Sequence, residues 1–359
     1  MRLLSLDVYR GFIMVLLALE GAGLYEFFIH HSEGTALHSL FIQFDHHPWH
    51  GLRFWDLIQP SFMFMAGVSL AYSLQSQKAR GWTWSQSWIK TIKRCGWLFF
   101  WGVLDYAVRP GGLSFELWDV LTQLSFTTLV AFLVFEWKIS YQLLVCAGLL
   151  LLTEILYRMT HVPGFDQPFT DQQNFGNYID TILMNKINKG GWVAINCIPT
   201  AVHTVAGAII GKIMIEKKFS ALNTILIWAG ISLFLGYVLD WTGITPIIKR
   251  IATTSFTLVS LGWALLFLAF FYWWVDIKNH KKYTLFFTVV GMNSLFIYLF
   301  FEIVGSRWFN GYITAIASGV AHWITHIEWI SSLASTISIF GLEWWMCYFF
   351  YKKGIFFKI

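Results

Sequence analysis

Residues 252–275 read ATTSFTLVSLGWALLFLAFFYWWV and contain no charged side chain. A helix needs about 20 consecutive apolar residues to cross the roughly 30 Å hydrocarbon core of a bilayer. This stretch therefore predicts a transmembrane helix. The whole chain agrees, because 57% of its 359 residues are hydrophobic and only 13% are charged, against about 25% charged in soluble domains. This composition excludes a water-soluble protein.

Ten apolar stretches of this kind lie between charged or turn-rich breaks. They cover residues 12–30, 54–75, 95–108, 118–135, 139–158, 196–215, 221–239, 252–275, 284–304 and 330–351. Residues 309–327 are only moderately apolar and form an eleventh candidate, re-entrant or interfacial. We therefore predict an all-α, polytopic membrane protein of about ten transmembrane helices, with a single transmembrane domain over residues 1–359.

The distribution of Lys and Arg predicts which helix ends face the cytoplasm, because short cytoplasmic loops retain positive charges. With the N-terminus inside, ten crossings place 17 of the 25 Lys and Arg residues on the inner face. Both termini are therefore predicted to be cytoplasmic. The topology rule alone explains a basic inner face, but the same charges also suit a ligand that carries phosphate groups.

The cysteines give no sign of a disulfide framework or a metal site. They lie inside or at the ends of apolar runs, form no CxxC pair and have no histidine at zinc-motif spacing. These residues are Cys95, Cys146, Cys197 and Cys347. We expect no structural disulfide and no metal. The chain also lacks the GxGxxG and GxxxxGK[ST] loops that bind nucleotides.

Several ionisable or amide side chains fall inside the predicted spans, where a charge costs about 2.5 to 3.5 kcal/mol. They are Glu20, Asp56, Asp105, Asp119, Gln123, His203, Asn293 and Glu302. Such groups either form a functional site or bond helices together. We interpret Asp105, Asp119 and Gln123 as mainly structural. Both interpretations stay open for Glu20, which lies about three turns into the first predicted helix.

Residues 45–70, DHHPWHGLRFWDLIQPSFMFMAGVSL, carry most of the potential chemistry. Histidine transfers protons in both directions near neutral pH, and a carboxylate can fix its tautomer. Asp56 follows the histidines closely enough to do so. The alternative is a surface loop with histidines that have no role. We further expect Pro60 to kink its helix and Pro199 to interrupt another, so that a passage opens beside the polar His203.

Five blocks along the chain occur together in a known family. They are RLLSLDVYRG (2–11), HHPWHGLRFWDLIQPSFMF (46–64), CIPTAVHTVAG (197–207), TTSFTLVSLGWA (253–264) and GMNSLFIYLFFE (291–302). In this order they resemble the transmembrane glucosamine N-acetyltransferases, which include heparan-α-glucosaminide N-acetyltransferase and its bacterial relatives. The resemblance covers the chain from residue 2 to about residue 302.

The resemblance implies an enzyme that moves acetyl from cytosolic acetyl-CoA to the amine of glucosamine, or of a terminal glucosamine, on the outer side. The family's catalytic histidine precedes a tryptophan by three residues, which indicates His46, with the adjacent His47 as the alternative register. The family's aspartate and late asparagine fall on Asp56 and Asn293. No metal is implied. We expect location in a bacterial inner membrane.

The remaining site residues are assigned by position. We expect Trp49, Glu20, Glu302 and His203 to contact the amino sugar. Asp7 and Arg10, at the predicted inner end of the first helix, are the candidates for the phosphates of acetyl-CoA. Anchoring of that helix is an equally good interpretation of this pair. The expected partners are acetyl-CoA, an amino sugar or its oligomer and the lipid bilayer, without nucleic acid, and a homodimer is the oligomer to test.

Two mechanisms fit these residues. In direct transfer, His46 takes the proton of the attacking amine, Asp56 orients the imidazole and Asn293 donates to the developing oxyanion. In the other, His46 is acetylated first. We favour direct transfer, since an acyl-imidazole hydrolyses readily in water. The alternative functions are a proton-coupled amino-sugar transporter and an O-acetyltransferase of an envelope glycan. Transporters often contain paired broken helices, which the sequence does not indicate.

Overall fold

The computed structural model describes residues 3–109 and 112–357, and these residues form helices without a β-strand. The α-helices are α1 Leu4–Gly21, α2 Leu24–His31, α3 His38–Phe41, α4 Ile58–Ala79, α5 Trp84–Ala107, α6 Val120–Val134, α7 Ile139–Met159, α8 Phe175–Met184, α9 Cys197–Lys217, α10 Ala221–Trp241, α11 Thr254–Phe271, α12 Thr284–Met292, α13 Ser294–Leu299, α14 Asn310–Thr325 and α15 Glu328–Lys353. Short 3₁₀ turns precede α4 and α9, and a π-helical segment, Phe300–Phe309, joins α13 to α14. The predicted all-α class is confirmed.

Five helices in the described ranges are long and apolar enough to cross a membrane, or seven if each of two bent helix pairs is one span. The predicted count of about ten is not confirmed. Two predicted spans differ in length, because α5 begins at Trp84 with polar turns and α6 has only 15 residues. Residues Ala194–Trp241 form one helical stretch of 48 residues, with a positive φ of 48° at Lys218 between α9 and α10.

Two apolar stretches are bent rather than straight. The axes of α1 and α2 differ by 63°, and those of α12 and the helix that begins at Ser294 differ by 73°. Gly23, with a φ of 79°, makes the first bend, and Asn293 lies at the second. The sequence did not indicate these two breaks. Helices α1 and α12 pack against each other, and both line one of the cavities described below.

Pro60 and Pro199 do not interrupt their helices. Each is the third residue of an α-helix that follows a 3₁₀ turn, in α4 and α9 respectively. Proline is tolerated in the first turn because the backbone N–H there has no partner within the helix. The predicted kink at Pro60 and interruption at Pro199 are therefore wrong.

Helices α4 and α9 cross at very close range in the centre of the molecule. A Cβ atom on Gly67 would overlap the backbone of Thr204, and one on Gly207 would overlap the backbone of Phe64. Small residues allow this approach, which is common between helices in membranes. The crossing fixes α4, which follows directly on the 3₁₀ turn Phe54–Leu57 that contains Asp56.

Candidate functional site

A cavity of about 240 Å³ lies at the N-terminal end of α4, and we call it the histidine cavity. Residues from α1, α4, α5, α6, α13, two shorter helical turns and the connecting loops surround it. Its lining residues are Leu17, Glu20, His46, Trp55, Ile58, Gln59, Phe62, Tyr106, Arg109, Trp118, Asp119, Val120, Trp192, Lys249, Tyr298 and Glu302. Acidic, basic and aromatic side chains therefore converge on one space of small volume.

His46 and Asp56 form a hydrogen-bonded pair at this cavity, with 3.2 Å between His46 Nδ1 and Asp56 Oδ1. The 3₁₀ turn Phe54–Leu57 positions the carboxylate. Its other oxygen accepts the backbone N–H groups of Arg53 at 2.9 Å and His47 at 3.3 Å. Asp56 is fully buried. This network fixes the carboxylate, and the carboxylate in turn fixes the imidazole plane.

The neighbouring histidines point elsewhere. The His47 ring lies against Gly51, where a Cβ atom would come within 2.5 Å of its Nε2. His50 is exposed and pairs with Asp240 at 2.8 Å. Only His46 among these three lines the histidine cavity, so the geometry favours the register that places His46, not His47, in the site.

Lys249 also reaches this pair, although sequence reasoning gave it no role. Its Nζ lies 3.0 Å from His46 Nδ1 and 3.5 Å from Asp56 Oδ1. The loop before α11 brings it there, because Gly51 donates its N–H to the Ile247 carbonyl at 2.9 Å and so joins the two loops. One signal was available. Lys249 and Arg250 adjoin an apolar span on the predicted outer face, against the usual charge distribution.

Burial lowers the pKa of both Lys249 and His46. Loss of hydration lowers the pKa of Lys249 to about 8, although the nearby carboxylates of Asp56 and Glu20 favour its charged form. Burial and the positive charge of Lys249 also lower the pKa of His46, against the opposing effect of Asp56. The His46 imidazole is therefore neutral at physiological pH, which is the form that can accept a proton.

Three carboxylates face the same cavity. Glu20 accepts the indole N–H of Trp55 at 3.0 Å. Glu302 lies 3.9 Å from Arg109. Asp119, which we had interpreted as structural, accepts the Tyr298 hydroxyl at 2.8 Å and lines the cavity as well. Together with three tryptophan rings, these groups suit a polar, hydroxyl-rich or cationic molecule of small size.

A second cavity, of about 450 Å³, lies toward the C-terminal end of α4, and we call it the arginine cavity. Its lining includes Arg10, Lys90 and Arg94. Phe62 and Tyr298 line both cavities. Along α4, the lining extends from Ile58 in the histidine cavity to Gln77 in the arginine cavity, which is about 28 Å at 1.5 Å per residue. The two cavities thus adjoin and together follow most of a membrane-spanning length.

The basic residues of the arginine cavity differ in their surroundings. Arg10 donates to the Gly291 carbonyl at 2.7 Å and pairs with Asp7 at 2.9 Å, so it joins α1 to α12. This contact supports the anchoring interpretation, and both residues also line the cavity. Arg94 makes no hydrogen bond or ion pair within residues 3–109 and 112–357 and is half-buried. It is the better-placed guanidinium for a phosphate, and the sequence did not single it out.

Apart from Asp56, which contacts His46, three predicted site residues line neither cavity. Asn293 is buried and bonds the backbone of the C-terminal segment, at Ile355 and Phe357. His203 is buried between α9 and α11, where its Nε2 lies 2.9 Å from the Ser260 hydroxyl. Trp49 donates to the Phe169 carbonyl at 2.7 Å and supports the loops. The structure does not bring these three side chains to the His46–Asp56 pair.

Comparison with known proteins assigns no family. No family model matches this chain, and no curated protein matches it. The chemistry of the two cavities and the way they adjoin are therefore the main support for a functional proposal.

Proposed function

We propose that this protein is a membrane-embedded acetyltransferase that moves acetyl from acetyl-CoA to the amine of glucosamine or of a terminal glucosamine. One observation carries the proposal. His46, which is hydrogen-bonded to the buried Asp56, lines a small polar cavity that shares Phe62 and Tyr298 with a basic cavity farther along α4. In such an arrangement, a donor in the basic cavity and an acceptor in the polar cavity would lie on the two sides of Phe62 and Tyr298. The five sequence blocks that resemble the transmembrane glucosamine N-acetyltransferases support the same reaction.

The donor is assigned to the arginine cavity. Phosphate groups of CoA suit Arg94 and Lys90, which line it. The thioester would then extend between Phe62 and Tyr298 toward His46. With the predicted topology, this cavity opens to the cytoplasm of a bacterial cell whose inner membrane holds the protein.

The acceptor is assigned to the histidine cavity. Carboxylates accept hydrogen bonds from sugar hydroxyls and from an ammonium group, and Glu20, Asp119 and Glu302 face this space. Tryptophan faces pack well against the apolar face of a sugar ring. The volume of about 240 Å³ accommodates one ring, which favours free or terminal glucosamine over an internal unit of a polymer.

The sugar ammonium must first lose a proton to water to become a nucleophilic amine, and transfer then removes one further proton from the amine. As the amine nitrogen bonds to the thioester carbonyl carbon, His46 Nε2 takes that proton, with Nδ1–H held by Asp56. Collapse of the tetrahedral intermediate breaks the carbon–sulfur bond, and the thiolate of CoA takes the proton from the imidazolium. We favour this direct route over an acetyl-histidine intermediate. We no longer assign the oxyanion to Asn293, because its side chain bonds the C-terminal segment.

A proton-coupled amino-sugar transporter is the second candidate, and one observation favours it. Each bent helix pair contributes a glutamate to the histidine cavity, Glu20 from the first and Glu302 from the second. Broken helices around a central site occur in many transporters. In that case the sugar would cross unchanged and acetyl-CoA would not bind.

The test is acetyl transfer by purified protein in detergent with labelled acetyl-CoA and glucosamine. We expect labelled N-acetylglucosamine from the wild type and a loss of about 100-fold or more for His46→Gln, while His50→Gln retains activity. Protein-bound label in a sample without sugar would indicate the acetyl-histidine route. Glucosamine uptake into proteoliposomes without acetyl-CoA, together with no product, would establish the transporter instead. Product from an alcohol but not from an amine would indicate an O-acetyltransferase.

A further inference from the structure

The Nδ1 atom of His46 has two possible partners. Lys249 Nζ lies 3.0 Å away and Asp56 Oδ1 lies 3.2 Å away. A neutral imidazole nitrogen either carries a proton and donates or has a lone pair and accepts. Nδ1 can therefore accept from the Lys249 ammonium or donate to the Asp56 carboxylate, but it cannot do both.

The hydrogen bond that Nδ1 makes determines whether Nε2 carries the imidazole proton. When Lys249 is an ammonium group and donates to Nδ1, the imidazole proton lies on Nε2. When Lys249 is neutral, Nδ1–H donates to Asp56 and Nε2 has a free lone pair. No described residue hydrogen-bonds Nε2, so that nitrogen is the one available to a substrate.

We propose that Lys249 is a positioning residue whose protonation state selects the tautomer of His46 and thereby turns the general base on or off. The effect on catalysis rests on the proposed acetyl transfer, whereas the competition between Lys249 and Asp56 for Nδ1 rests on their contacts with that atom. Protonated Lys249 holds the inactive tautomer, and neutral Lys249 releases the active one.

The surroundings of Lys249 make both states accessible. Burial lowers the pKa of Lys249 to about 8, and Arg250 acts in the same direction, although Asp56 and Glu20 stabilise the ammonium form. The Trp192 ring lies 5.3 Å from Nζ and also favours the ammonium form. The other charged groups that line the cavity are Arg109, Asp119 and Glu302. Activity is then expected to rise with pH as Lys249 loses its proton.

The proton balance of transfer does not involve Lys249. In the active state, His46 Nε2 removes one proton from the amine and the ring becomes an imidazolium stabilised by Asp56. That proton passes to the departing thiolate of CoA, and the ring returns to the Nδ1–H tautomer. Lys249 stays neutral throughout, so its effect is to set the fraction of competent protein rather than to take part in each turnover.

The direct test is the tautomer of His46, measured by nitrogen NMR of ¹⁵N-histidine-labelled protein, with His46→Gln used to assign the signal. In the wild type we expect the Nε2–H form at pH 7 and the Nδ1–H form at pH 9.5. Lys249→Arg, which stays charged, should retain Nε2–H at both values. Lys249→Met should show Nδ1–H at pH 8. A wild-type signal that is Nδ1–H at both values would overturn the proposal.

The kinetic test compares pH profiles of kcat/KM. For the wild type we expect a rising limb near pH 8, with about a tenfold decrease for each pH unit below it. In Lys249→Met, the rising limb should occur at least one pH unit lower than in the wild type. Lys249→Arg should be slow at every pH. Equal losses in both variants at all pH values would indicate a merely structural role. Absence of transfer by the wild type would refute the proposed function while leaving the tautomer measurement valid.

Discussion

The Tyr298 hydroxyl donates a 2.8 Å hydrogen bond to Asp119 where the histidine and arginine cavities adjoin. Asp119 caps α6 through the N–H of Leu121 at 2.7 Å, and both partners are buried. The bond therefore joins the start of α6 to α13. It fixes one wall of the junction, and Phe62 from α4 forms another.

Enlarging Phe62 should obstruct this junction. We expect Phe62→Trp to reduce acetyl transfer at least tenfold, because the larger ring occupies the space through which the thioester must pass. Binding of CoA to the arginine cavity should change little. Phe100→Trp is the matched control, since Phe100 is on the exposed face of α5 and lines neither cavity. Transfer at the wild-type rate by Phe62→Trp would show that the substrates meet by another path.

Replacing Asp56 should show that this residue orients His46 and does not bind the acetyl donor. In Asp56→Asn, an amide takes the place of a carboxylate that accepts from two backbone N–H groups and from His46. We expect kcat to fall about 100-fold or more, with little change in the dissociation constant of CoA measured by calorimetry. Asp166→Asn is the control, because Asp166 is exposed and lines neither cavity. Equal effects of the two substitutions would exclude a special role for Asp56.

Arg94 should contribute to donor affinity through phosphate. A charge-assisted hydrogen bond contributes about 1.5 to 3 kcal/mol, so Arg94→Gln is expected to weaken CoA binding by about 10- to 100-fold. Lys93→Gln removes the same charge from the adjacent position, which does not line the cavity, and should have little effect. Acetyl-pantetheine, which lacks the nucleotide phosphates, should bind both variants and the wild type alike. A loss of acetyl-pantetheine binding in Arg94→Gln would indicate a structural defect.

Sequence reasoning found the parts of the site that are close in the chain. His46 and Asp56 are ten residues apart and share one loop and turn, so their pairing could be predicted. Lys249 is 203 residues from His46 and arrives through contacts between two loops, which no local pattern indicates. Arg94 is one of many Lys and Arg residues in the sequence, and only the structure shows that it lines a cavity.

The fold was predictable in class and less so in detail. Hydropathy identifies apolar residues, but the ends and bends of helices depend on the backbone. Counting apolar residues predicted neither the bend at Gly23 nor the long polar start of α5. The role of Asn293 was also mispredicted from the sequence. An amide in an apolar run suggests a site, yet here it satisfies the backbone of the C-terminal segment.

The close crossing of α4 and α9 predicts a specific sensitivity to added volume. A Cβ atom on Gly207 would overlap the Phe64 carbonyl, so Gly207→Ala must push the two helices apart. We expect a loss of about 1 to 3 kcal/mol, seen as a lower Tm in detergent. Gly230→Ala on α10 is the control, since no atom lies within 4 Å of its Cβ position and alanine favours the helix. Because α4 carries the turn that holds Asp56, Gly207→Ala should also lower acetyl transfer in the protein that stays folded. Equal Tm values for the two variants would mean that α4 and α9 are not in backbone contact.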